Sequence, residues 1–201
     1  SSSEVYGNPN EDEIPISEEN KIRPANPYSI SKVGHDLISQ YYYKAYDMKI
    51  ITTRMFSHEG ARRGKNFALS SFAYQIAQNE IGNGDGFIRH GNLDSTRTYA
   101  HIDDAIRAYW LCSESEKFGE IYNIGGDYTC TIGDVLKLLI SKSTKDLKPL
   151  LDKKRVRPTD ITLQIPDTSK FRKEFGWKPK KDLNDICEDL LTYWRNNNEN
   201  N

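Results

Sequence analysis

Tyr28 and Lys32 stand four positions apart in Tyr28-Ser-Ile-Ser-Lys32, with Pro27 directly before the tyrosine. Side chains at i and i+4 share a helix face, so the Lys32 ammonium can sit close to the Tyr28 hydroxyl. A nearby cation favours an ionised phenol over a neutral one. Such a phenol can carry the proton that leaves or returns when a sugar or alcohol carbon is oxidised or reduced. The competing assignment is a solvent-facing helical pair. Pro27 suits a first helical position and starts the helix where the pair needs it.

The elements that must hold this pair read as strands alternating with helices, which predicts an α/β fold with a parallel sheet. Residues 8–27 are polar and rich in Pro, Asn and Glu, and read as a surface loop. Residues 28–46 read as a helix with Ile30, Val33, Leu37 and Ile38 on an apolar face, and residues 49–55 as a short buried strand. A basic loop, Gly60-Ala-Arg62-Arg63-Gly64-Lys65, leads into a predicted helix over 67–81. Gly82-Asn-Gly84-Asp-Gly86 lacks phosphate-loop spacing and reads as a turn. Strands are predicted at 87–90, 97–101 and 120–124, the last ending at Gly125-Gly126. The intervening helix over 102–112 carries Asp103 and Asp104 in its first turn, where carboxylates complement the dipole. Thr131-x-x-Asp134 resembles a capping box ahead of a helix over 135–141. Further helices are predicted at 169–175, stopped by Gly176-Trp177-Lys178-Pro179, and at 183–194, before an Asn-rich tail (196–201) expected to be disordered. Trp177 is assigned to the core on aromatic burial habits.

At 201 residues the chain can build one good core, or one core and a small lobe. A net charge of -1 lacks the basic excess of nucleic-acid or membrane-surface proteins, so neither partner is expected. No apolar run approaches the ~18 residues of a membrane span, and no signal-peptide pattern opens the chain. Cys112, Cys130 and Cys187 are odd in number and widely spaced, as for reduced thiols of a cytoplasmic protein. His35, His58, His90 and His101 show no close ligand spacing, so no metal site is expected.

The opening Ser1-Ser2-Ser3-Glu4-Val5-Tyr6-Gly7, followed by Arg23-Pro-Ala-Asn-Pro-Tyr28-Ser-Ile-Ser-Lys32, resembles the extended short-chain dehydrogenase/reductase family, in its nucleotide-sugar branch. The resemblance implies the C-terminal part of a Rossmann-type parallel-sheet domain plus a small α/β substrate-binding lobe. Residues 1–55 and 97–125 would then be the remainder of the NAD(P)-binding domain, and 56–96 with 126–195 the lobe. Family members carry a G-x-G-x-x-G phosphate loop in a preceding segment. None occurs here, so the chain is expected to be a fragment.

The resemblance also implies roles. In nucleotide-sugar 4,6-dehydratases a Thr/Ser-x-Glu trio sits at the end of the strand before the catalytic helix, and Ser2, Ser3 and Glu4 match it. Ser2 would orient the C4 oxygen, Tyr28 and Lys32 would serve catalysis and hold the cofactor, NADP or NAD. Oxidation at C4 would acidify the C5 proton, Glu4 would remove it as general base, water would leave from C6, and hydride would return to C6. Arg54-Met-Phe56-Ser57-His58-Glu59-Gly60-Ala61-Arg62-Arg63-Gly64 is similar to the R-x-F-N-H-x-x-P-R-R-G stretch of GDP-mannose 4,6-dehydratases. Ser57 stands where the substrate-binding Asn is usual, and Ala61 where Pro is usual. Arg62 and Arg63 match residues that bind cofactor phosphate and meet a neighbouring subunit; a solvated basic loop is the alternative. Gly91-Asn92-Leu93-Asp94-Ser-Thr-Arg97 resembles G-N-L-D-x-x-R, which implies substrate binding by Asn92 and diphosphate pairing by Arg97. Arg155-Val-Arg157-Pro158-Thr159-Asp160 resembles R-P-x-D/E, with Arg157 on the diphosphate and Asp160 on the ribose hydroxyls.

The substrate implied is a nucleotide-diphosphate sugar, GDP-linked, and the assembly a homodimer or homotetramer. Three readings stay open. Glu4 favours a GDP-mannose 4,6-dehydratase. Phe72-Ala-Tyr-Gln75, Asp104-Ala-Ile-Arg107-Ala-Tyr-Trp110 and Asp189-Leu-Leu-Thr-Tyr-Trp194 look closer to reductases or epimerases of GDP-4-keto-6-deoxy sugars. A non-catalytic binding module is the third.

Overall fold

The computed structural model describes residues 1–156 and 161–197. A 3-10 turn over Ser3–Tyr6 opens the chain, and the loop that follows is held by Arg23, whose guanidinium pairs with both oxygens of Glu13 at 2.6 and 2.8 Å. The Arg23 amide donates to Val5 O at 2.9 Å, which lays the loop back against the opening turn.

Helix α1 (Pro27–Tyr46) starts where Asn26 and Pro27 dictate. The Asn26 side chain accepts from Ser29 N at 2.8 Å, and the Ser29 hydroxyl returns the bond at Asn26 N at 3.0 Å. The helix ends at Asp47 in the left-handed region, φ 51°. Its apolar stripe is not the buried one: Ile30, Leu37 and Ile38 are exposed, whereas Ser29 and Asp36 are fully buried and Val33 is half-buried against Val5, Tyr6, Ile16 and Phe56. The inward face is set by Asp36, whose carboxylate receives Arg54 Nε at 2.7 Å inside the protein.

Strand β1 (Thr52–Met55) pairs in parallel with β5 (Ile121–Ile124), Thr52 opposite Ile121 and Met55 opposite Ile124. Ser2 adds a parallel bridge to Met55. Between them run β2 (His58–Glu59), α2 (Ala68–Glu80), β3 (Phe87–His90), β4 (Thr96–His101) and α3 (Ile102–Ser113). The chain continues through β6 (Tyr128–Thr131), α4 (Ile132–Ser141), β7 (Lys148–Leu151), β8 (Leu163–Gln164), α5 (Ser169–Phe175) and α6 (Leu183–Asn196). β4 is central: β2 and β8 lie parallel to it and β6 antiparallel, while β3 pairs with β7 in parallel. The expected parallel pairing therefore holds except at β4–β6. The expected disordered tail begins too early, since α6 runs through Asn196; residues 198–201 lie outside the described residues.

Among the described residues three apolar clusters result. One joins α2, α4 and α6 through Phe72, Ile76, Leu136, Leu139, Leu190 and Trp194. The second packs Ala105 and Ala108 of α3, Tyr122 and Ile124 of β5, Phe171 and Trp177. The third, Val5, Tyr6, Ile16 and Phe56, lies under the opening turn. Each fully buried Leu, Ile or Phe contributes on the order of 1.5–3 kcal/mol. Trp177 is core, with its indole N–H on Asp104 O at 3.2 Å, and Gly176 closes α5 with φ 60°, a conformation glycine adopts free of any Cβ clash.

Candidate active site

The opening turn and the first turn of α1 form one constellation. Ser2 is buried, and its Oγ accepts from Glu4 N at 3.2 Å, which fixes the turn. A hydroxyl has one donor and two acceptor positions, so Ser2 still has its proton to offer. Glu4 is half-buried, and its Oε2 accepts from Asn26 Nδ2 at 3.0 Å. Two residues on, Tyr28 is 51% exposed at the start of α1. The Lys32 ammonium lies 5.5 Å from the centroid of the Tyr28 ring, one helical turn further. Ser2, Glu4, Tyr28 and Lys32 are thus carried by two adjacent segments tied together through Asn26.

Below them a buried polar network holds α1 on β1. Arg54 Nη1 donates to the Tyr6 hydroxyl at 2.9 Å, and Tyr6 donates to Asn123 Oδ1 at 2.7 Å. Asn123 Nδ2 donates to Ile16 O at 2.9 Å. None of Asp36, Tyr6 or Asn123 stood out in sequence, because each becomes polar-and-buried only through a partner far away in the chain.

A second concavity, about 380 Å³, opens between α2, the loop after β3 and the segment after β7. Asn92 and Arg97 line it, together with Phe67, His90, Lys154 and Arg155. Arg97 donates to the carbonyls of Thr96 and Ile161, and Arg155 Nη1 donates to Ser71 Oγ at 3.1 Å. Three cations beside an exposed phenyl ring suit a phosphorylated ring compound. Phe67, Lys154 and Arg155 were not assigned to binding from sequence; the basic run Lys153-Lys154-Arg155 beside the R-P motif was the available signal. Arg157 and Asp160 lie outside the described residues. Ser57 is half-buried between β1 and β2 and does not line this concavity.

Arg62 lies elsewhere, exposed and with φ 69°, on a smaller hollow of about 210 Å³ shared with His58, Glu59 and Arg63. Glu59 is almost fully buried there. Burial pushes its carboxyl up to about 7, against the opposing pull of Arg63, whose Nε is 3.6 Å away. Burial likewise lowers His58. The Arg63 guanidinium carbon sits 3.5 Å from the Phe67 ring centroid. Gly60 has no room for a side chain, because an added Cβ would run into Ile102 of α3.

Asp104, in the first turn of α3, has a structural role. Burial alone would raise its carboxyl, but the hydrogen bond from Arg107 and those from the Lys180 and Lys181 amides outweigh it and hold the group below its usual range. Cys112, Cys130 and Cys187 are free thiols, pushed by burial to about 11, 11 and 12. Among the described residues no helix is long and apolar enough to cross a membrane, and no cluster of His, Cys, Asp or Glu could hold a metal.

The family model described as GDP-mannose 4,6 dehydratase matches residues 1–190. The chain belongs to this family. Within reach of the family are GDP-6-deoxy-D-mannose reductase of Pseudomonas aeruginosa, 25% identical over 194 residues (96% of this chain, 64% of the relative). GDP-mannose 4,6 dehydratase of Cricetulus griseus is 27% identical over 209 residues, covering 95% of this chain and 55% of the relative. The chain therefore spans less than two thirds of the length of these relatives. Among solved structures, RMD from Pseudomonas aeruginosa complexed with NADPH superposes with a TM-score of 0.91 at 24% identity, over 98% of this chain and 65% of that one, a likeness of fold. dTDP-glucose 4,6-dehydratase from Bacillus anthracis in complex with NAD gives 0.82 at 25% identity, over 99% and 61%. These likenesses agree with the α/β, Rossmann-type fold class.

Proposed function

We propose that the full-length protein is an NADP- or NAD-dependent nucleotide-sugar 4,6-dehydratase that converts GDP-mannose to GDP-4-keto-6-deoxymannose. The observation that carries this reading is the Glu4 carboxylate, held by Asn26 at the N-terminus of the helix that bears Tyr28 and Lys32. A ketone reductase needs a proton donor but no base for carbon; a dehydratase needs both.

Tyr28 and Lys32 fit the nicotinamide-ribose end of NAD(P): Tyr28 is exposed and Lys32 half-buried on α1, and among the described residues no carboxylate pairs with the Lys32 ammonium. When bound, the cofactor supplies the hydride acceptor and donor. Tyr28 takes the proton of the C4 hydroxyl as that carbon is oxidised, and Ser2 hydrogen-bonds the resulting C4 oxygen. Glu4 would remove the C5 proton, now acidified by the neighbouring ketone, and hand it to the C6 hydroxyl, which leaves as water; the hydride stored at C4 oxidation would return to C6, and C5 would take a proton from solvent through Glu4. Arg97 and Arg155 would pair with the diphosphate in the 380 Å³ concavity, with Asn92 and Phe67 on the nucleoside and sugar. Arg157, Asp160, Ser57 and Arg62 keep the roles implied by the resemblance. The division into a Rossmann remainder and a substrate lobe belongs to the same reading, as does a homodimer or homotetramer, which the exposed Ile30, Leu37, Ile38 and Tyr41 of α1 support.

A reductase of the 4-keto-6-deoxy sugar is the second reading, favoured by the 25% identity to the Pseudomonas reductase. Incubating the full-length protein with GDP-mannose and NADP in deuterated water separates the two. A 4-keto-6-deoxy product carrying deuterium at C5 is expected. No such product, with NADPH consumed on the keto sugar, would reject the dehydratase.

A further inference from the structure

We infer that Asn26 is a positioning residue for the carbon base, tethering the Glu4 carboxylate to the helix that carries Tyr28. This rests on the dehydratase reading of Glu4.

The Asn26 amide does two things at once. Its Oδ1 accepts from Ser29 N at 2.8 Å, and since a backbone amide can only donate, the orientation of the side chain follows. The opposite end, Nδ2, is therefore the group that meets Glu4 Oε2 at 3.0 Å. The amide is not free to drift. Asn26 N accepts nothing and donates to Ser29 Oγ at 3.0 Å, while Asn26 O receives the Ser29 hydroxyl at 2.9 Å and Ile30 N at 3.0 Å. Upstream, Arg23 N on Val5 O at 2.9 Å pins the same loop to the turn that carries Glu4.

Residue type matters here. Ser, Thr and Asp cap helices about as well as Asn. Of these good caps, only Asn pairs an acceptor oxygen with an N–H donor on one short planar group. Ser would keep the cap and lose the reach to Glu4. Asp would keep the cap and set a second carboxylate against Glu4. A carboxylate on a half-buried turn has several rotamers; the Nδ2 bond selects one, and that one is registered to the first turn of α1. The Nδ2 bond thereby fixes where the base for C5 sits relative to the first turn of α1, which carries the phenol for the C4 oxygen. A displacement of about 1 Å in such a group slows a reaction by as much as a hundredfold.

The test uses full-length Asn26→Ser with GDP-mannose deuterated at C5 and, separately, at C4. Expected is a drop in kcat on the order of tenfold to a hundredfold, an unchanged KM, and an isotope effect that rises for C5 deuterium and falls for C4 deuterium. A protein merely less folded would lose kcat without redistributing the isotope effects. Asn26→Asp keeps the cap and should give the same redistribution if Asn26→Ser does not fold. Parent-like kcat and isotope effects in either folded variant would overturn the tether. Glu4→Gln distinguishes this from failure of the dehydratase reading: if that variant forms product at the parent rate, the base assignment itself is wrong; if it is inactive while Asn26→Ser behaves as the parent, only the tether is wrong.

Discussion

Arg54 Nε lies 2.7 Å from Asp36 Oδ2, with both side chains almost wholly shielded from water, and this pair joins β1 to the helix that carries Tyr28. Asp36 Oδ1 has no partner among the described residues, so its charge depends on Arg54. Removing one member of a buried ion pair strands the other and costs about 3–5 kcal/mol, whereas replacing both by apolar groups is often neutral. Arg54→Leu should therefore lower unfolding free energy by roughly that amount in urea titrations, and Arg54→Leu with Asp36→Leu should recover most of it. Equal losses in the single and double variants would show that the pair does not act as a unit.

Glu59 should make stability depend on pH. Unfolded, its carboxyl ionises above about 4.5; folded, it keeps its proton to about 7 because it is buried. Between those values the native state binds more protons, so stability falls as pH rises through this window and levels off above it. The full effect is roughly 3 kcal/mol at 1.36 kcal/mol per pKa unit. Glu59→Gln abolishes the titration, so its advantage over the parent should grow from pH 5 to pH 8 in denaturant unfolding. A constant difference across that range would contradict a protonated Glu59.

Much of this was legible where local chemistry decides. Pro27 starts α1, Thr131 and Asp134 form the capping box of α4, and Gly176 stops α5 as the sequence predicts. Two-residue strands such as β2 and β8 carry no periodicity, and β7 contains Pro149 and is exposed along its length, so neither pattern nor burial marks it. The inward face of α1 does not follow from its apolar stripe, for a physical reason. An apolar stripe reads as buried unless something covers the other side, and what turns the helix is Asp36 finding Arg54, a pairing across 18 positions that spacing cannot reveal. Asn26 shows the same limit: its cap is local, its bond to Glu4 is not.

The concavity of Asn92 and Arg97 can be probed without catalysis. Arg155 reaches it from the far side and is only partly engaged, by Ser71 Oγ at 3.1 Å and Asp152 at 3.4 Å. Replacing one charge-assisted bond costs about 1.5–3 kcal/mol, so Arg155→Ala should weaken GDP binding by roughly tenfold to a hundredfold in calorimetry while leaving GDP-free stability nearly unchanged. Parent-like affinity would move the diphosphate away from this residue.

Tyr28→Phe isolates the phenolic proton. The aromatic ring stays, so the Lys32 ammonium keeps its position 5.5 Å from the ring centroid, and a residue 51% exposed contributes little packing that the change could disturb. Tyr28 does not line the Arg97 concavity, so nucleotide affinity should be unaltered. What disappears is the O–H proposed to exchange a proton with the C4 oxygen. General acid–base groups contribute about 10²- to 10⁴-fold, and a loss of kcat in that range with unchanged KM and melting temperature is expected in the full-length protein. Because the C4 proton transfer precedes elimination, C5 deuterium incorporation should fall in parallel with turnover. If turnover survives within a few fold of the parent, the proton at C4 is carried by another group, and the pairing of Tyr28 with Lys32 is structural.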